Sequence, residues 1–421
     1  MRATRSTTIA VLLLGAVALS ACTGSPGSAP ASESPSSPTA PAGDGDAGAA
    51  ATPSRLVTPL DQDALTAIFE STAEELGQPG AAMLLRTPEG GFTATCGTTT
   101  RGGSTPVSAE DHIRIGSNTK TWTGTVILQL VQEGRIALGD AVSTFRPDVP
   151  NGQNITIEQL LEMRSGLANY TDTYELNAGL DAEPQRVWKP EELLAMAFAL
   201  PPTFAPGAAY QYSNTNTVLL GLIAEQIEGK PLAQIFHDRL FGPLGLTETS
   251  FPAIDDTDLP LPRADGYHWW TNVGTISSTK LPPDLLAQAQ AGTFQPTDST
   301  LDNPSWAWSA GAGISTLDDL ATWVEALGGK GTPLLNPELQ RSRLNSAQPV
   351  AADAPGAYGW GIAKMGSFYG HTGELPGYNS FMGYDPATDV TLVVWANLAP
   401  AANGKGPADV IAQALVKALY E

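Results

Sequence analysis

The chain has 421 residues, 42% of them hydrophobic, enough to bury a sizeable core in one large or two interleaved domains. Acidic residues outnumber basic ones 43 to 22, for a net charge of −21. That balance excludes the Lys/Arg clusters that nucleic-acid phosphates require. Two cysteines and four histidines show no HxH, HExxH or CxxC spacing, so the sequence implies no metal site and no cofactor.

Residues 1–21 read as a secretory signal. Arg2 and Arg5 precede an apolar run, 9–19, too short to span a bilayer. The run ends in Leu19-Ser20-Ala21-Cys22, and small residues before a cysteine resemble a bacterial lipobox. The resemblance implies cleavage before Cys22, lipid on its sulfur, and an extracytoplasmic protein anchored to a bacterial cell membrane. Residues 22–58, dominated by Ser, Pro, Ala and Gly, are expected to form a disordered tether. With Cys22 lipidated, Cys96 has no intrachain partner and is expected to be a buried, inert thiol in a strand.

The folded domain is assigned to 59–421. The pattern over 61–76 predicts a helix with Asp61 as N-cap and Gly77 as stop. Runs 81–86 and 92–96, separated by Pro88-Glu89-Gly90-Gly91, predict a strand hairpin. Ile113 to Ile115 leads into Gly116-Ser117, and 122–130 has helical apolar spacing. From about 138 to 309 the chain reads as a mainly helical insertion, with helices over 157–163, 190–200 and 217–227. The stretch 252–304, rich in Pro, Asp, Thr and Trp, reads as irregular and cleft-lining. A helix over 317–327 follows, then strand-like runs 358–364, 368–372, 380–384 and 390–397, and a closing amphipathic helix over 408–419. The fold class is α+β: one antiparallel sheet flanked by helices, built from both chain ends.

The chemistry centres on Ser117-Asn118-Thr119-Lys120. Three-residue spacing at a helix start puts a hydroxyl and an amine on one face. Serine needs a base to become a nucleophile, and desolvation lowers the pKa of a lysine that could be that base. A second tetrad, Ser277-Ser278-Thr279-Lys280, runs into Leu281-Pro282-Pro283, which forbids a continuing helix, so it reads as loop. Tyr212-Ser213-Asn214 and His371-Thr372-Gly373 follow downstream, the latter at the end of a strand-like run.

These three motifs, in this order, resemble those of the penicillin-recognising serine hydrolases: class C β-lactamases, serine D-alanyl-D-alanine carboxypeptidases and related esterases. Flanking stretches 113–117, 160–167, 311–321 and 371–378 are also similar to the family, so the resemblance covers about 60–420. It implies a β-lactamase/transpeptidase-like fold and an acyl-enzyme on Ser117. Lys120 and Tyr212 would share the proton, and either is the base. Asn214 would orient Lys120 or hold a substrate amide. The N–H groups of Ser117 and Glu374 would form the oxyanion hole, with His371, Thr372 and Gly373 beside the leaving group or a substrate carboxylate.

Two departures bear on substrate. His371 stands where class C β-lactamases usually carry lysine, which leans toward peptidases and esterases. Glu374, if it faces the cleft, would repel a substrate carboxylate, for which Arg263, Arg341 and Arg343 are the candidate anchors. The expectation is a membrane-anchored D-alanyl-D-alanine carboxypeptidase-type hydrolase of D-amino acid peptides. The alternatives are a carboxylesterase or β-lactamase on the same site, and a non-catalytic binding lipoprotein. Small peptides, esters or β-lactams are the partners, with the membrane reached through Cys22. Among the tryptophans, 269, 270, 306, 308 and 360 read mainly as core, while Tyr358 and Trp360, on one strand face, are the better cleft candidates.

Overall fold

Residues that alternate along a strand point to opposite faces, so a strand apolar at every position must be covered on both sides. The computed structural model, which describes residues 56–420, shows this for the middle of its main sheet. The expected signal, the expected lipidation site Cys22 and most of the expected tether lie outside the described residues.

Helix α1 (Gln62–Glu75) opens the domain, and Asp61 Oδ1 accepts from the Ala64 amide at 2.9 Å as its N-cap. Strands β1 (Gly80–Thr87) and β2 (Gly90–Gly97) form the first hairpin. Cys96 is half-buried on β2, and burial with nearby Glu70 pushes its thiol up to about 11. After β3 (Ile113–Arg114), a single 3₁₀ turn over Gly116–Thr119 leads into α2 (Lys120–Gln132).

The insertion then runs through α3 (Ile157–Leu161), α4 (Tyr174–Ala182), α5 (Pro190–Phe198), α6 (Asn214–Glu228), α7 (Leu232–Phe236) and α8 (Gly242–Leu244). Beyond a short ladder of β4 (Tyr267–His268) and β5 (Thr297–Asp298) lies β6 (Ile314–Ser315), paired with β3. Between β4 and β5 stand α9 (Asn272–Ser277) and α10 (Pro283–Gln290). The stretch expected to be irregular is therefore partly helical. Asp181, distant in sequence, accepts from the Asn272 and Val273 amides at 2.6 and 3.0 Å, which supplies the start of α9. The second Ser-x-x-Lys tetrad closes α9 and is exposed, with Ser278 non-helical.

The chain returns to the sheet through α11 (Leu317–Leu327), α12 (Pro337–Asn345), β7 (Gln348–Pro349), β8 (Gly356–Gly359), β9 (Ile362–Met365), β10 (Phe368–Leu375), β11 (Tyr378–Asp385) and β12 (Val390–Ala396), and ends in α13 (Pro407–Leu419). The sheet order is β2-β1-β12-β11-β10-β9-β8-β7, antiparallel throughout. The run expected as one strand over 358–364 is two, broken at Trp360-Gly361. Gly361 takes φ +62° there, and its Cα lies 2.9 Å from where a Cβ on Gly124 of α2 would sit, so the turn tucks under the nucleophile helix. Trp360 thus lies beyond β8 and does not share a strand face with Tyr358.

Leu392 and Val394 of β12 pack in the layer with α1 and α13, while Val393 and Trp395 pack in the layer with α2 and α11. In the second layer Trp122 meets Phe236, Phe241 and Trp323 edge-on, with centroids 5.7, 4.8 and 6.4 Å away. Trp323 Nε1 also donates to Thr121 Oγ1 at 2.8 Å, so α2 is held in rotation as well as depth.

Leu392 is fully buried and Thr93 is exposed on the edge strand β2. Leu392→Ala is expected to cost about 2–5 kcal/mol in urea unfolding. Thr93→Ala should stay within roughly 0.5 kcal/mol.

Candidate active site

Gly116 and Gly373 let two pieces of backbone meet. Gly116 sits at φ +55°, and a Cβ on it would lie 2.5 Å from the Glu374 backbone nitrogen. A Cβ on Gly373 would collide with the Ile115 carbonyl oxygen. Side chains therefore cannot separate β10 from the turn that carries Ser117. Asn118 Nδ2 donates to Ile115 O at 3.0 Å and to Ser380 Oγ at 2.7 Å, and Ser380 Oγ donates to Ile115 O at 3.0 Å. Thr119 Oγ1 donates to Gly116 O at 2.8 Å and accepts from the Gly313 amide at 3.0 Å. The two middle residues of the tetrad are thus structural fasteners, and both are buried.

Ser117 is the half-buried member of the tetrad. Its Oγ lies 2.9 Å from Lys120 Nζ and accepts from Tyr212 OH at 2.7 Å. Lys120 is 1% exposed, and its Nζ donates to the Ala310 carbonyl at 2.7 Å. Burial drives its pKa well below the usual lysine value. Tyr212 moves the opposite way, burial holding its phenol above the ordinary range. The two directions favour an unprotonated amine that can accept the Ser117 proton and an intact phenol that can relay it. The Lys120 nitrogen also lies 4.8 Å from the centroid of the Tyr212 ring.

Asn214 is placed differently from the expected lysine-orienting role. Its Nδ2 donates to Thr171 Oγ1 at 3.1 Å, and its backbone N–H donates to Asn169 Oδ1 at 3.0 Å. The Ala310 carbonyl orients Lys120 instead. Asn214 remains at the start of α6, directly after the tyrosine that reaches Ser117.

His371 is buried on β10 between two partners. Nδ1 lies 2.5 Å from Thr372 O, which can only accept, so Nδ1 carries the proton. Nε2 then accepts from Tyr358 OH at 3.2 Å. Burial pulls the imidazole down to about 3, so it is neutral at physiological pH. Tyr358 is fully buried rather than surface-lining.

The Pro376-Gly377 turn pairs Leu375 with Tyr378. Alternation along an antiparallel ladder then sends the N–H and C=O of Thr372 and Glu374 away from β11. Beyond Gly370 that edge of β10 has no strand partner among the described residues. The Glu374 N–H accordingly faces the Gly116-Ser117 turn. Its side chain goes to the other face of the sheet, where Oε2 accepts from Asn379 Nδ2 at 3.3 Å. It does not reach into the cleft to repel substrate.

The candidate carboxylate anchors lie elsewhere. Arg343 is wholly buried, donating to Thr125 Oγ1 at 2.8 Å and Gly361 O at 3.2 Å. Arg263 donates to Leu259 O at 3.1 Å and lies 3.4 Å from Asp265. Arg341 is exposed on α12.

The arrangement supports acyl transfer. Ser117 Oγ is placed to attack a carbonyl as its proton passes to Lys120 Nζ. The Ser117 and Glu374 N–H groups would meet the negative charge that forms on oxygen. Tyr212 would relay the proton to the leaving group, and water would then release the acyl group by the same path in reverse.

Two substitutions test this geometry. Gly116→Ala should lower the acylation rate about 10²-fold or more by displacing one oxyanion donor, measured as a burst with an activated ester. Because burial lowers the lysine pKa and so favours the unprotonated amine, kcat/KM should fall on acidification as Lys120 takes up a proton. Lys120→Arg, whose guanidinium stays protonated, should be inactive across the whole range.

A family model described as Beta-lactamase matches residues 65–416. Protein flp of Staphylococcus aureus is 29% identical over 300 residues, covering 68% of this chain and 52% of flp. The chain thus spans about half the length of the first curated relatives it matches. A putative penicillin-binding protein, PbpX, of Bacillus subtilis is 25% identical over 77% of this chain and 72% of its own. The crystal structure of a D-stereospecific amidohydrolase from Streptomyces sp. superposes with a TM-score of 0.71 at 29% identity, covering 86% of this chain and 98% of that one.

Proposed function

The chain belongs to the β-lactamase family of serine hydrolases, and we propose that it cleaves amide bonds of D-amino-acid derivatives whose leaving side carries no carboxylate. The observation that carries this reading is the state of His371. A lysine at that position would offer a substrate carboxylate a positive charge. The imidazole is neutral and has both nitrogens committed, Nδ1 to Thr372 and Nε2 to Tyr358. Arg343, Arg263 and Arg341 do not make up the deficit. A terminal carboxylate would enter the cleft at the cost of its hydration and meet no counter-charge there. An amide or ester leaving group has no such cost. The likeness to the Streptomyces amidohydrolase supports the D-amino-acid side of the reading.

D-alanyl-D-alanine carboxypeptidase activity is the second reading, favoured by the three motifs and by the likeness to PbpX. Placement at the bacterial envelope rests on residues 1–22 alone.

The deciding measurement compares D-alanine p-nitroanilide with diacetyl-L-Lys-D-Ala-D-Ala. The anilide should have the higher kcat/KM, and the reverse order would replace this reading with the carboxypeptidase. His371→Lys should raise kcat/KM for the carboxylate-terminated peptide relative to the anilide by roughly tenfold, the scale of one charge-assisted hydrogen bond. Ser117→Ala should show no acyl adduct by intact mass with either substrate.

A further inference from the structure

Asn379 lies on β11, opposite Glu374 across the ladder, and is 1% exposed. Asparagine is uncommon in a buried strand interior, so its partners carry meaning. Its Oδ1 accepts from the Ala408 amide at 2.8 Å and the Asp409 amide at 3.2 Å, both in the first turn of α13. Its Nδ2 donates to Gly373 O at 3.0 Å and to Glu374 Oε2 at 3.3 Å. One amide therefore joins the N-terminus of the closing helix to the two residues that face the nucleophile turn.

We propose that Asn379 is a positioning residue, which holds the Glu374 N–H against the Ser117 turn by clamping the β10 backbone to α13. The inference rests on the acyl-serine reading above, because the strand it positions matters only if Glu374 meets an oxyanion.

Asp409 stands in the first helical turn beside Asn379, and its amide is one of the two that Asn379 Oδ1 holds.

The test uses the full chain and p-nitrophenyl acetate, an activated ester indifferent to D-amino-acid selectivity. Wild type, Asn379→Ala and Asn379→Asp, which keeps an oxygen for the α13 amides and loses the Nδ2 donor, are compared for kcat, KM and melting temperature. Both variants should lower kcat roughly tenfold or more with KM within about twofold, the split expected when an oxyanion donor is misplaced. A purely structural cap would lower the melting temperature of Asn379→Ala and leave kcat of both variants intact, which overturns the proposal. Should wild type not turn over the ester, the acyl-serine reading fails, and the clamp's catalytic role falls with it.

Discussion

Everything at the centre of this molecule depends on keeping one amine dry. Lys120 is buried among protein atoms with the Ala310 carbonyl and Ser117 Oγ for company. An ammonium ion in that place would forgo hydration that those two oxygens cannot replace, so the neutral form is favoured. The packing around α2 follows from this demand. Trp122 sits in a cage of Phe236, Phe241 and Trp323, and Thr121 and Thr125 spend their hydroxyls inside the protein. Water is excluded from the helix, and the serine at its start inherits a base.

The second constraint is that three segments, at 117–120, 212 and 371–374, must meet at one point although long stretches of chain separate them. The sheet solves this by seating β10 directly on the nucleophile turn through Gly116 and Gly373. The insertion then brings Tyr212 from outside the sheet, at the start of α6. The seat of β10 on the turn is made of backbone and short side chains, so little conformational freedom is left there.

Much of this was legible in the residues. Periodicity separated the terminal strands from the inserted helices, and 317–327 matches α11 to the residue. The motif residues 117, 120, 212 and 371 are brought together as their order implied. What could not be read depends on partners distant in sequence. The Asp181 contacts that anchor α9 are not local, although Thr271 caps that helix and a proline opens α10 within the stretch read as irregular. The split between β8 and β9 answers to Gly124 on another element. The commitments of His371 to Tyr358 and Thr372, and of Asn214 to Thr171, reverse or redirect roles that residue type alone suggested. Asn379 left one trace, an amide in a strand buried at every position.

The sheet closes with its first and last strands side by side, β1 on β12. During synthesis Ser117 and Lys120 emerge long before the strands that complete their surroundings. In an unfinished chain the lysine is hydrated and therefore an ordinary cation, and the serine beside it is an ordinary alcohol. The reactive pair is thus silent by default on the ribosome and through any passage across a membrane. Its reactivity is a property of the closed sheet rather than of the motif, so labelling of Ser117 by an acylating probe would serve as a clock for the completion of folding.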